Sequence, residues 1–173
     1  YIVKHEKSQH TIDWSSPNCI PLDPQIFDDI FEDIITTLHA KPHVYALQRV
    51  VGADSSYALP ILAISDHALS SLFLDNMIRP VPDDLENSIF NNAPFTVVTL
   101  PHDYLEVDRY HGKLRKLPNG DTSNLCVAMD FDRRIGVVYG SAYMGSIKKM
   151  LFTVMNYYLP EKNILPLHCA ANE

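Results

Sequence analysis

The segment "YMGSIKKMLFTVMNYYLPEKNILPLHCAANE", Tyr143 to Glu173, decides how the chain reads. Ile147, Met150, Leu151, Val154 and Met155 fall at positions i, i+3, i+4, i+7 and i+8. That spacing puts five apolar side chains on one face of a helix, so the segment predicts a helix over 145–158 with this stripe turned inward. Lys148 and Lys149 stand in its first turns, where the helix macrodipole disfavours cations. A Gly-interrupted turn, residues 139–145, leads into the helix, and such turns bring backbone N–H groups toward anions. A lysine held there would have its pKa pushed down, and a neutral amine can ligate a metal or carry a proton. Residues 164–169 read as a last strand with His168 at its end. Alternate strand residues face opposite ways, so Cys169 is expected in the packing. The plain alternatives are a solvated face for the lysines and a satisfied structural histidine at 168.

Working outward, Asp23-Pro24 is a helix start, with Asp as the cap and Pro in the first turn. Ile26, Ile30, Ile34 and Leu38 recur every four residues and predict a helix to about Ala40, ended by Pro42. Val44 to Val51 and Leu59 to Ile64 read as strands around a Gly52–Ser55 turn. Asp66 is expected to cap a helix from Ala68 to Met77, with Leu69, Leu72, Phe73 and Met77 inward. Residues 95–98 read as a buried strand. Leu125 to Phe131 and Ile135 to Tyr139 read as a strand pair. Between them, residues 101–124 read as an exposed loop or hairpin around the Asn119-Gly120 turn. Strands and helices alternate without a regular βαβ rhythm. The expectation is one α/β domain, a mixed sheet with helices packed on it.

Bulk properties narrow the function. The chain has 173 residues, 46% hydrophobic and 20% charged, enough for one domain with a sizeable core. A formal net charge of −7 argues against nucleic acid, whose phosphates need a basic surface. No apolar run approaches the ~20 residues that span a bilayer, so no membrane partner is expected. Cys19, Cys126 and Cys169 form no CxxC pair. Their odd number, with no Asn-x-Ser/Thr sequon and no signal peptide, points to the cytoplasm.

Other clusters carry less. His39 and His43 have zinc-helix spacing, but Pro42 interrupts that helix. Asp130 and Asp132 share one side of a strand that ends in a charged turn. Lys113, Arg115 and Lys116 read as solvated loop. Asp83, Asp84 and Glu86 read as the charged first turn of a short helix. No GxxxxGK[ST], GxGxxG or GxSxG sequence is present.

The closing segment resembles the ATP-dependent phosphoenolpyruvate carboxykinases, whose pattern reads roughly Y-G-G-E-x-K-K-x-x-F-x-x-M-N-Y-x-L-P…M-H-C-S-A-N. Six residues from Tyr143 to Lys149 and nineteen from Lys149 to His168 match it without gaps. "LFLDNMIRPVPDDLENS" is similar to the family's N-M-x-I-R-P-x-x-x-E-L segment, and "VVGADSSYALPILAIS" to its V-x-x-G-A-D-x-x-Y-R-L-x-V-R-V-I-T stretch. "YIVK" looks like the segment after the family's R-S-P-K-D-K substrate loop. The resemblance implies the family's N-terminal fold over residues 1–173, a single organic-acid- and metal-binding domain. It implies that the C-terminal nucleotide-binding P-loop domain and a third metal ligand, an Asp, lie beyond Glu173. The complete enzyme would convert oxaloacetate and ATP to phosphoenolpyruvate, ADP and CO₂. Tyr143 would contact the carboxylic substrate, with Lys148 beside it. Lys149 and His168 would ligate a divalent ion, Mn²⁺ or Mg²⁺. By itself the chain is expected to transfer no phosphoryl group.

The sequence also departs from the pattern. Family arginines stand as Ala58 and Leu62, the family Glu as Ser146, and a family Ser as Ala170. These departures motivate a second reading, a non-catalytic relative that uses the fold for binding or assembly. A third is a plain anion-binding α/β module.

Overall fold

A computed structural model describes residues 1–90, 93–110 and 112–169; Ala170, one of the departures noted above, lies outside the described residues. The strands are β1 (Ile2–Val3), β2 (Pro21–Leu22), β3 (Tyr45–Val51), β4 (Leu59–Ser65), β5 (Phe95–Leu100), β6 (Cys126–Asp130) and β7 (Ile135–Tyr139). The helices are α1 (Pro24–His39), α2 (Ala68–Met77) and α3 (Gly145–Tyr158). Seven strands form one sheet in the order β2-β1-β6-β7-β5-β4-β3. β3 with β4 and β6 with β7 are antiparallel, and the remaining pairs are parallel. The sheet is therefore mixed, as expected.

Alternation along each strand divides the core in two. Val3, Val98, Leu100, Cys126, Ala128, Val137 and Tyr139 face α1 and meet Ile26, Phe27, Ile30 and Ile34. Ile2, Leu59, Ile61, Phe95, Val97, Met129 and Val138 face the other way, toward Leu74 of α2 and the buried stripe of α3. Asp23 caps α1 through its carboxylate, which accepts from the Gln25 amide at 2.8 Å. The five predicted residues of α3 are all buried. Fully burying side chains of this size contributes about 1.5–3 kcal/mol each. Gly136 lets α3 approach closely, because a Cβ there would come within 2.8 Å of the Met150 sulfur.

Several expectations need correction. Residues 164–169 form no strand, and Cys169 is exposed rather than packed. Pro166 lacks an N–H for a ladder, which breaks the run as a strand. Asp66 does not cap α2; His67 occupies the cap position, and Asp66 pairs with Lys41 at 3.0 Å. In α2 the buried residues are Ser70 and Leu74, while Leu69 and Leu72 are exposed. Residues 101–124 are not wholly exposed: Leu105, Tyr110 and Leu114 enter the α1-side core. The Asn119-Gly120 turn is present, with Gly120 at φ +90° and Lys116 bridged to Thr122. Burial pushes the Cys126 thiol up to about 12.

Asp130 belongs to the fold rather than to a carboxylate pair, because it is fully buried while Asp132 is exposed in the following turn. Its Oδ2 accepts from His5 Nε2 at 2.8 Å and from Arg133 Nε at 2.5 Å, and its Oδ1 accepts from the Arg133 amide at 3.0 Å. Arg133 continues to Asp28 of α1 at 2.5 Å, so the cluster ties the N-terminal segment, β6 and α1 together. Burial alone would raise the Asp130 carboxyl, but the hydrogen bonds from Arg133 and His5 outweigh it and hold it below its ordinary 3.8. A folded-state value below the unfolded one stabilises the fold above the ordinary range and loses that stabilisation as pH falls through the lower value. Asp130→Asn is expected to destabilise the chain by about 2 kcal/mol at neutral pH. Urea unfolding of the two proteins should show the gap closing as pH is lowered below 3.8.

Candidate functional site

The burial of Ile147, Met150, Leu151, Val154 and Met155 leaves Lys148, Lys149 and Phe152 on the outer side of α3. These three side chains and His168 line one open cleft of about 250 Å³. Nineteen residues apart in sequence, the amine and the imidazole thus share one surface. The Phe152 and His168 rings meet edge-on, with centroids 5.3 Å apart. Lys149 Nζ lies 5.9 Å from the centroid of the Tyr143 ring, within reach of the ring's negative face. Tyr143 is 66% exposed, so its phenol is open to a ligand.

The approach to α3 sets this arrangement. Gly140, at φ +79°, turns the chain out of β7. The Tyr143 ring then lies across Gly145, where a Cβ would come within 2.4 Å of it. Ser146 points back into the turn, its hydroxyl 2.9 Å from that of Ser141. Neither Ala58 nor Leu62 lines the cleft. Ala58 is buried, and Leu62 borders a separate groove with Val81, Leu85 and Pro94.

The cleft is lined by three nitrogen-bearing side chains, Lys148, Lys149 and His168, short of a full set for a divalent ion. Among the described residues no three His, Cys, Asp or Glu side chains converge on a metal position, which covers His39 and His43. Nitrogen donors suit a first-row transition ion better than Mg²⁺, which takes oxygen ligands and keeps its waters. The donors fit Mn²⁺ if oxygen atoms from water, substrate or other residues complete the shell.

A larger groove of about 360 Å³ lies on the α1 side, lined by Asp33, Thr37, Asp103, Glu106, Arg109 and Tyr139 among others. Its charges are largely paired. Lys41 bonds Asp103 at 2.6 Å, and Asp33 takes both Arg109 and the Tyr110 hydroxyl. Asp103 and then Asp66 hold the Lys41 amine above its ordinary value, against the opposing effect of burial. This groove is larger than the α3 cleft and acidic, and Asp33 and Asp103 already have cationic partners within the protein.

Known proteins match the chain along its whole length. A model of the phosphoenolpyruvate carboxykinase family matches residues 1–173. The chain belongs to this family. Proteins named phosphoenolpyruvate carboxykinase (ATP) from Geobacillus kaustophilus (strain HTA426), Bacillus pumilus (strain SAFR-032) and Bacillus subtilis (strain 168) are 34%, 32% and 30% identical to it over 173 residues. Each alignment covers 99% of this chain and 30% of the relative. The chain thus spans about 30% of the length of the carboxykinases it matches. The mixed α/β fold agrees with the family's N-terminal domain. Among the described residues no helix is long and apolar enough to cross a membrane.

Phe152 and Gly145 were not picked out by the sequence reasoning. Phe152 had a usable signal, an aromatic three residues after Lys149 on the same helix side. Gly145 had only its place in the turn. Gly145→Ala should raise helix propensity yet displace the Tyr143 ring. In two-dimensional NMR the contacts of the Tyr143 ring with residue 145 should be lost, while the melting temperature does not fall.

Proposed function

We propose that this chain is the organic-acid- and metal-binding part of a carboxykinase that converts oxaloacetate and ATP to phosphoenolpyruvate, ADP and CO₂. The observation that carries the reading is the shared cleft of Lys148, Lys149 and His168, with the Tyr143 ring beside Lys149. Lys149 and His168 would hold the divalent ion, through the amine and imidazole nitrogens. A bound ion there supplies a Lewis acid that stabilises negative charge developing on a substrate oxygen. Tyr143 offers an exposed hydroxyl to the carboxylate of the acid. Lys148, one residue before Lys149 on the helix and lining the same cleft, would add positive charge for the carboxylates of the acid. Phosphoryl transfer depends mostly on positioning and charge neutralisation, and ATP would come from a nucleotide-binding domain outside these residues. Cytoplasmic location follows from the same reading.

Three of the substitutions that favour a non-catalytic relative, Ala58, Leu62 and Ser146, do not line the cleft, and Ser146 turns to Ser141. Their loss of charge leaves the proposed donors in place, which supports the enzymatic reading over assembly alone.

Metal binding tests it. Titration of the 173-residue chain with Mn²⁺, followed by electron paramagnetic resonance, should show one site. Lys149→Ala and His168→Ala should each weaken it at least tenfold, about the least that altering such a site costs. Affinity unchanged in both variants would remove the basis of the proposal and favour the non-catalytic relative.

A further inference from the structure

Lys149 is placed by a regular helix whose buried face is fixed, whereas His168 sits in a segment, 164–169, that is neither helix nor strand. Its neighbours Leu167 and Cys169 are exposed and anchor nothing. Among the described residues the His168 imidazole joins no hydrogen bond. The ring rests instead against Phe152, at a centroid distance of 5.3 Å and an interplanar angle of 61°. That lies in the range of about 4.5–7 Å where edge-to-face aromatic pairs attract. Phe152 is half-buried, so it is itself held by the helix. It follows Lys149 by three residues and Lys148 by four, and so shares their side of α3.

We infer that Phe152 is a positioning residue: its ring holds the His168 imidazole opposite Lys149 so that the two nitrogens face one ligand position. The inference rests on the reading of Lys149 and His168 as metal ligands, and adds how an irregular segment presents one of them. A histidine ligand normally has its ring oriented by a hydrogen bond from its second nitrogen. Here an aromatic wall sets the ring plane and leaves both nitrogens free, one for the ion and one for water or another part of the protein.

The test uses the 173-residue chain, with Mn²⁺ as probe and two readouts. The first is Mn²⁺ affinity by electron paramagnetic resonance; the second, taken without metal, is the set of His168 ring-proton chemical shifts. Phe152→Leu keeps an apolar side chain on the helix. It should weaken Mn²⁺ about tenfold, the scale seen when outer partners of ligands are removed, and should move the His168 ring shifts as the ring current is lost. Phe152→Tyr, which restores an aromatic ring, should recover both. Affinity and shifts that are both unchanged in Phe152→Leu would overturn the inference. So would weakened affinity with unmoved His168 shifts, since Phe152 would then act elsewhere. His168→Ala separates this from the metal reading. If that variant binds Mn²⁺ normally, the metal reading fails and the inference with it. If it binds weakly while Phe152→Leu does not, the inference fails alone.

Discussion

The docking of α3 on the sheet is the constraint on which the rest depends. Its five buried side chains permit one rotation about the helix axis, and Gly136 permits a close approach under Met150. Once that rotation is set, Lys148, Lys149 and Phe152 have no choice but the outer side. The turn before the helix contributes as well, because Gly145 leaves room for the Tyr143 ring to lie across the first turn. A core requirement thus produces a polar site: hydrophobic packing on one side of α3 aims amines and rings on the other.

The two walls of the cleft differ in rigidity. One is a helix packed on β6 and β7 of the seven-stranded sheet; the other is an irregular segment whose Leu165 and Leu167 are 76% and 65% exposed. The Asp130 cluster stands away from the cleft. It secures the β6–β7 turn and the N-terminal segment to α1 through Arg133 and His5. Stability and chemistry therefore use separate sets of charges, and the larger acidic groove spends its own on Lys41 and Arg109.

Legibility in the sequence followed the strength of the local pattern. α3 was readable to its ends because its apolar spacing is unmixed. α1 was readable because Asp23-Pro24 marks its start. α2 was readable in its bounds but not in its buried face, because Leu69, Leu72, Phe73, Leu74 and Met77 put apolar residues on several sides, and only packing against β3 and β4 selects Leu74. β1 and β2, at two residues each, are too short to show a period. The 164–169 run looked like a strand because its apolar content outweighed one proline. Residue types and spacing indicated Lys149 and His168, and the family resemblance gave them a role. Spacing alone put Phe152 on the lysine side of the helix, but its contact with His168 joins two parts of the chain that no local pattern connects. The structural role of Asp130 was out of reach for the same reason: its partner His5 is 125 residues away.

The most direct measurement of the central claim is a map of paramagnetic broadening by Mn²⁺ on the amide spectrum of this chain. The account predicts the strongest broadening around Tyr143, Lys149 and His168, fading across the sheet toward α1. Strongest broadening instead at Asp33, Asp103 and Glu106 would place the ion in the acidic groove and contradict it.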